Sequence, residues 1–266
     1  MRARFYGTSD NTVVLLHGGP GGPGYMAPVA QELSDSFRVV EHLQPGFDEG
    51  GRTVAYLVHH LRETIVEEAG PLPALVGASW GAMLALCYAA SYPQTVSRVV
   101  AIGCGTFDEP SRRELERRRV ARETPSERRR IETIQRQLAT ARIPPEQDAA
   151  FAALARILTR TDIVDPIGPV EDLVIRHDYR SFQAVWSDMV RLQQAGMYPQ
   201  QFTHVSCPVT MLHGREDTHP GRLIHDSLRR FVPNIRYVEL ERCGHTPWLE
   251  RHARSAFFLA LREALS

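Results

Sequence analysis

Between Ala74 and Ser91 three local signals follow one another without a gap. Ala74-Leu75-Val76 is a continuous apolar run, Gly77-Ala78-Ser79-Trp80-Gly81 places a serine among small residues, and Trp80 to Ser91 is a helical run. A short apolar run bounded by turn residues reads as a strand buried on both faces. That strand must turn at once into a helix, and glycines at 77 and 81 let the backbone pass without side-chain collision. The same rhythm recurs along the chain. Thr12 to Leu16, Phe37 to Leu43 (stopped by Pro45-Gly46), Val99 to Gly103, Val209 to Leu212 and Arg236 to Leu240 are further strand candidates. Arg52 to Ala69 carries a helical stripe of Val54, Leu57, Val58, Leu61, Ile65 and Val66, and Ala253 to Leu265 is an amphipathic helix. The N-terminus leaves room for one more strand before residue 12. Strands alternating with helices argue for an α/β fold, a mainly parallel sheet flanked by helices.

The rhythm breaks between residues 106 and 204, which read as several helices. The expected organisation is a sheet core of residues 1–105 and 205–266 with an inserted helical cap, 106–204. The first part of the cap, Phe107 to Arg142, holds 11 arginines against seven acidic residues. The acids interleave with Arg117-Arg118-Arg119 and Arg128-Arg129-Arg130, which suits i,i+4 pairing on a solvated face. No aromatic residue interleaves as a base-stacking surface would require, and 31 basic residues balance 31 acidic ones. A nucleic-acid partner is therefore not expected. All 31 basic residues are arginine. Without lysine, Schiff-base chemistry, a phosphate-loop lysine and a Ser–Lys dyad are excluded. The four cysteines form no C-x-x-C pair and match no zinc spacing. An N-terminus without an apolar leader, and apolar runs far below a membrane span, lead to the expectation of a cytoplasmic protein with no membrane partner.

Gly77-Ala78-Ser79-Trp80-Gly81 fits G-x-S-x-G in a strand-to-helix context, which makes Ser79 a candidate nucleophile. A serine hydroxyl needs a base. In a parallel sheet the loops after the strands converge on one edge. His245 follows the last strand, and His213 and His17 are rivals because they also follow strands. The orienting acid is expected at Asp217, with Glu216 next door and Asp108 after the fourth strand as rivals. An oxyanion hole needs two backbone N–H donors. Trp80, directly after the nucleophile, supplies one. The glycine loop His17-Gly18-Gly19-Pro20-Gly21 supplies the other, with Gly19 first and Gly18 second. Trp248 is expected either to wall the substrate pocket or to anchor the last helix. Trp186 is expected either to line the underside of the cap at the substrate pocket or to pack against the core, as its helical spacing with Phe182, Val185 and Met189 suits, and Tyr179 is a candidate polar contact from the cap to the pocket. No metal site is read from the sequence.

Taken together, His17-Gly18-Gly19-Pro20-Gly21, Gln44-Pro45-Gly46, Gly77-Ala78-Ser79-Trp80-Gly81, Gly214-Arg215-Glu216-Asp217 and Gly244-His245-Thr246-Pro247-Trp248 make the chain resemble an α/β-hydrolase along nearly its whole length. The order Ser79, Asp217, His245 is the one this resemblance implies. The His-Gly-Gly-Pro-Gly loop together with a tryptophan after the nucleophile most resembles the proline iminopeptidase branch. That branch implies cleavage of an N-terminal proline and acidic cap residues to hold its amine. Phe47-Asp48-Glu49-Gly50-Gly51 departs from the G-x-G-x-S continuation of that branch. The expectation is a serine hydrolase acting by two-step acyl transfer on a small ester or amide, or on a short peptide, with no cofactor and no metal. A carboxylesterase or lactonase, a non-hydrolytic lyase and a binding protein on the same fold are the alternatives.

Overall fold

A computed structural model describes residues 2–20, 22–169 and 178–266. Gly21 of the glycine loop and residues 170–177 of the expected cap lie outside the described residues. The strands are β1 (Ala3–Tyr6), β2 (Thr12–Leu16), β3 (Arg38–His42), β4 (Ala74–Ala78), β5 (Arg98–Ile102), β6 (Val209–Gly214) and β7 (Ile235–Leu240). They form one seven-stranded sheet in the order β1-β3-β2-β4-β5-β6-β7. Only β1 runs antiparallel to its neighbour, β3. It fills the room left before residue 12. The other pairings are parallel.

This order positions a site. From β2 the chain steps to β3 on one side. It then returns through α2 (Val54–Thr64) to β4 on the other side of β2. Loops leaving β2 and β4 at such a reversal diverge and leave a crevice at the carboxyl edge of the sheet. The register pairs Leu16 with Gly77, so Gly18 and Ser79 emerge side by side two residues later. The helical stripe of 52–69 is not one regular helix: α2 ends at Thr64, and Ile65–Ala69 closes as a wider π turn.

α3 (Trp80–Ser91) is buried from Trp80 to Ala90. A helix apolar all round can only lie inside a domain, and this one packs against β4, β5 and the turn Gln200–His204. The opposite sheet face is covered by α1 (Ala27–Leu33), through Val29, Ala30 and Leu33, and by α9 (Arg254–Leu265), through Phe257, Phe258 and Leu261. Between β5 and β6 lie α4 (Glu109–Arg122), α5 (Pro125–Thr140), α6 (Pro144–Asp162) and α7 (Tyr179–Gln194). Asp108 caps α4 by accepting the Ser111 N–H, and Thr124 with Glu127 forms a capping box on α5. α8 (Gly221–Leu228) joins β6 to β7. Among the described residues no helix is long and apolar enough to cross a membrane.

α3 packs on β2 through backbone contact. A Cβ on Gly81 would sit 2.1 Å from the Leu16 carbonyl oxygen, which cannot move without breaking the β2–β4 register. Gly81→Ala is expected to lower unfolding stability by at least about 1–3 kcal/mol, the usual cost of overpacking. Urea unfolding measures this, and an unchanged midpoint would contradict the packing described.

Candidate active site

Ser79 sits between β4 and α3 with φ 54° and ψ −117°. A non-glycine residue held there costs on the order of 1–3 kcal/mol. Two features hold it. The Ser79 N–H donates to the Ile102 carbonyl at 2.8 Å, and Gly77 lies so close to Gly81 that a Cβ on it would be 2.2 Å from the Gly81 oxygen. The turn lifts the serine off the sheet edge. It leaves the Trp80 N–H at the start of a helix, where the first N–H groups have no intrahelical partner and the dipole is positive.

The glycine loop is tied to this turn through Gln44. The Trp80 indole Nε1 donates to Gln44 Oε1 at 2.9 Å, and Gln44 Nε2 donates to the His17 carbonyl at 2.9 Å. The Gln44 backbone N–H donates to His17 Nε2 at 3.2 Å. That leaves the proton on His17 Nδ1, which donates to the Gly18 carbonyl at 2.8 Å. His17, a rival base, is thus engaged in holding the loop. Gly18 packs on the serine, with a Cβ position 3.2 Å from Ser79 Cβ, and Gly19 has φ +114°.

On the same edge, His245 Nδ1 lies 2.8 Å from Asp217 Oδ2. Asp217 has no exposed surface. Its carboxylate also faces His213 Nε2 at 3.1 Å, while Oδ1 accepts the His219 N–H at 2.8 Å and faces His219 Nδ1 at 3.2 Å. The rival acids are occupied elsewhere: Glu216 accepts the Cys243 N–H at 2.9 Å, and Asp108 is the α4 cap. The rival base His213 is fully buried with Nε2 on Asp217 and the His219 carbonyl. Burial pushes the Asp217 carboxyl up, but the imidazoles of His245, His213 and His219 around it and the His213 hydrogen bond hold it well below the carboxylate range. Burial pushes His245 down, and the charge and hydrogen bond of Asp217, with Asp162, outweigh it and raise it. Asp217, His219 and His245 each offer a ligand atom within 4.8 Å of one another. Both Nδ1 atoms already face carboxylate oxygens, so a cation there would have to displace those bonds.

The inserted helices grip this loop. Arg118 Nη1 donates to the Asp217 carbonyl at 2.9 Å, and Arg122 donates to the carbonyls of Glu216 and, at 2.7 Å, Thr161. Arg119 holds Asp162 through Nη2 at 2.8 Å and Nε at 3.3 Å. Asp162 also accepts the Thr218 hydroxyl, and its carbonyl accepts the His245 N–H at 2.8 Å. Burial pushes Asp162 up, and Arg119, His245 and His219 bring it below its usual value. The arginine-rich segment is therefore only partly a solvated face. Arg113 and Arg117 make exposed pairs with Glu109 and Glu114. On another face of α4, Arg118 and Arg122 bind the acid loop directly and Arg119 reaches it through Asp162 and Thr218. Net charge and local interleaving do not distinguish these two faces.

Ser79, His245, His219, Gly18, Gly19 and Trp80 line a cavity of about 330 Å³. Its other walls come largely from α4, α6 and α7: Leu115, Arg119, Phe151, Leu158, Asp162, Phe182 and Trp186. Two expected pocket residues stand one layer back. Trp248 has no exposed surface and packs on Tyr25, with ring centroids 5.2 Å apart, and on Phe257 of α9 at 5.9 Å. It anchors the last helix, and Tyr25 takes the cavity wall. Tyr179 packs behind Phe151, centroids 5.4 Å apart. Sequence reasoning missed His219, Asp162 and Arg119. Only His219, two residues after Asp217, carried a local signal.

Residues 13–256 match the model of the alpha/beta hydrolase family. The chain belongs to that family. No curated protein matches it by sequence. Among solved structures, this alpha/beta hydrolase is similar to a carboxylesterase structure from Nitrososphaera gargenis, with TM-score 0.70, 17% identity, and coverage of 99% of this chain and 93% of that one. It is similar to an esterase from Exiguobacterium antarcticum at TM-score 0.69, 15% identity and 99% and 94% coverage. Est816, an N-acyl homoserine lactone degrading enzyme, gives TM-score 0.63, 15% identity and 98% and 95% coverage. At these identities the likeness is one of fold.

The Arg119–Asp162 pair predicts a specific coupling. Removing one partner of a partly buried pair leaves the other uncompensated. Arg119→Leu is expected to cost about 2 kcal/mol, between the values for exposed and buried pairs. Adding Asp162→Leu to it should cost less than the two single changes summed. Urea unfolding of the double-mutant cycle measures this, and strict additivity would contradict the coupling.

Proposed function

We propose that the chain is a serine esterase acting on small esters with an apolar acyl or alcohol group, with Ser79 as nucleophile, His245 as base and Asp217 as orienting acid. The observation that carries it is the cavity itself: a serine on a strained turn, an imidazole 2.8 Å from a buried carboxylate, and walls that are mostly apolar. Ser79 attacks the ester carbonyl while His245 Nε2 takes its proton. Asp217 keeps the proton on Nδ1 and stabilises the imidazolium. The N–H groups of Trp80 and Gly19 stabilise the tetrahedral oxyanion. His245 returns the proton to the leaving alcohol, then activates water to release the acid from Ser79. The reaction needs neither metal nor organic cofactor.

A proline iminopeptidase-like activity would need a carboxylate free to hold the substrate amine. Among the described cavity residues the acid is Asp162, and Arg119 and Thr218 occupy it. That supports the ester reading over the amine-dependent one, and the same apolar walls accommodate a lactone.

Two assays test the proposal together. A fluorophosphonate probe is expected to label Ser79 in the native protein and not the Ser79→Ala variant. Short-chain aryl esters are expected to turn over faster than a prolyl arylamide by at least about a hundredfold in kcat/KM, a difference of about 3 kcal/mol in transition-state stabilisation. Absence of labelling, or a preference for the free-amine prolyl substrate, would overturn it.

A further inference from the structure

Of the three imidazoles on Asp217, two line the cavity. Its Oδ2 faces His245 Nδ1 at 2.8 Å, and its Oδ1 faces His219 Nδ1 at 3.2 Å. The two rings lie face to face, centroids 4.2 Å apart and 17° from parallel. Both line the cavity. With Nδ1 directed at the carboxylate, each ring has Nε2 left for the cavity. A single acid thus serves both cavity imidazoles, one on each oxygen, while His213 Nε2 also sits on Oδ2 at 3.1 Å, and only one of the cavity pair is needed as the base for Ser79.

We propose that His219 is a positioning residue that shares Asp217 with His245 and thereby sets the pH range over which His245 acts as a base. This rests on the esterase reading for its catalytic meaning but not for its physical content. An N–H donor on Oδ1 disperses the carboxylate charge, so less of it stabilises a proton on His245. The stacked ring also keeps water from one face of His245. The groups facing the two rings or their shared carboxylate are Asp217 after β6, His213 within β6, Arg119 on α4, and Asp162 at the end of α6. Burial and the neighbouring His245 push His219 down to about 4 although Asp217 raises it. It is therefore neutral at neutral pH. It acts as a hydrogen-bond donor to Asp217 and not as a second cation.

The sign follows. Taking away the His219 ring N–H returns carboxylate charge to Oδ2 and favours the His245 imidazolium, so the His245 titration midpoint rises. His219→Phe keeps a stacked ring without the donor, His219→Leu removes both, and His219→Asn restores an N–H near the Nδ1 position. The test is NMR titration of the His245 ring in the native protein and the three variants, alongside the acid limb of kcat/KM for an aryl ester. Phe and Leu are expected to raise the His245 midpoint by about one unit, which lowers activity on the acid side roughly tenfold. Asn is expected to bring the midpoint back towards the native value. A midpoint that stays put in both Phe and Leu variants overturns the proposal, as does a fall in plateau kcat with no movement of the acid limb, the mark of a purely structural role. A midpoint that moves in a protein that hydrolyses no ester supports the sharing of Asp217 and overturns the esterase reading alone.

Discussion

Asp217 has no exposed surface, yet it must stay ionised if it is to hold an imidazolium. Taking such a charge out of water costs several kcal/mol even after relaxation. The surroundings offset this with directed donors: ring nitrogens from His245, His213 and His219 and the His219 backbone N–H. The loop that carries the acid is held in turn by Arg118 and Arg122 from α4 and, through Thr218 and Asp162, by Arg119. The charged interior of the site is thus one connected network. It joins the sheet edge to the inserted helices, and the cavity lies where the two meet.

The sheet explains why the network can meet the serine at all. Reversal of strand order at β2 opens the crevice between the glycine loop and the Ser79 turn, while β6 and β7 deliver Asp217 and His245 to the same edge. Gly103, with φ +51°, closes the gap beneath: a Cβ there would stand 3.0 Å from His245 Nδ1. Gln44 completes the frame by bonding to both Trp80 and His17. The two backbone donors proposed for the oxyanion therefore belong to segments that are joined by hydrogen bonds to the same glutamine.

Much of this was legible in the residues. Most of the parallel strands are short runs dominated by apolar residues, so six of the seven strands stand out. Ala3–Tyr6 lies on the sheet edge with two of its four residues exposed, and it has no such run. The serine turn is legible because its glycines are required by backbone contact. His245 and Asp217 are legible because both follow strands in a fixed order. What was not legible depends on long-range packing. Arg119 and Asp162 are 43 residues apart and meet only when α4 and α6 dock. Trp248 has the same local context whether it faces the cavity or the core, and α9 decides between them. His219 is two residues from the acid in sequence, but its stacking on His245 depends on the loop after β7.

Asp217 is the organising charge of the site. The most direct measurement is kcat/KM for an aryl ester in Asp217→Asn, made on protein shown by circular dichroism to retain its native fold. An amide keeps the shape but cannot hold the proton on His245 Nδ1 or stabilise the imidazolium. The account predicts a loss on the order of a thousandfold to ten-thousandfold. Activity within about tenfold of the native protein, with the fold intact, would mean that another group orients His245 and would contradict it.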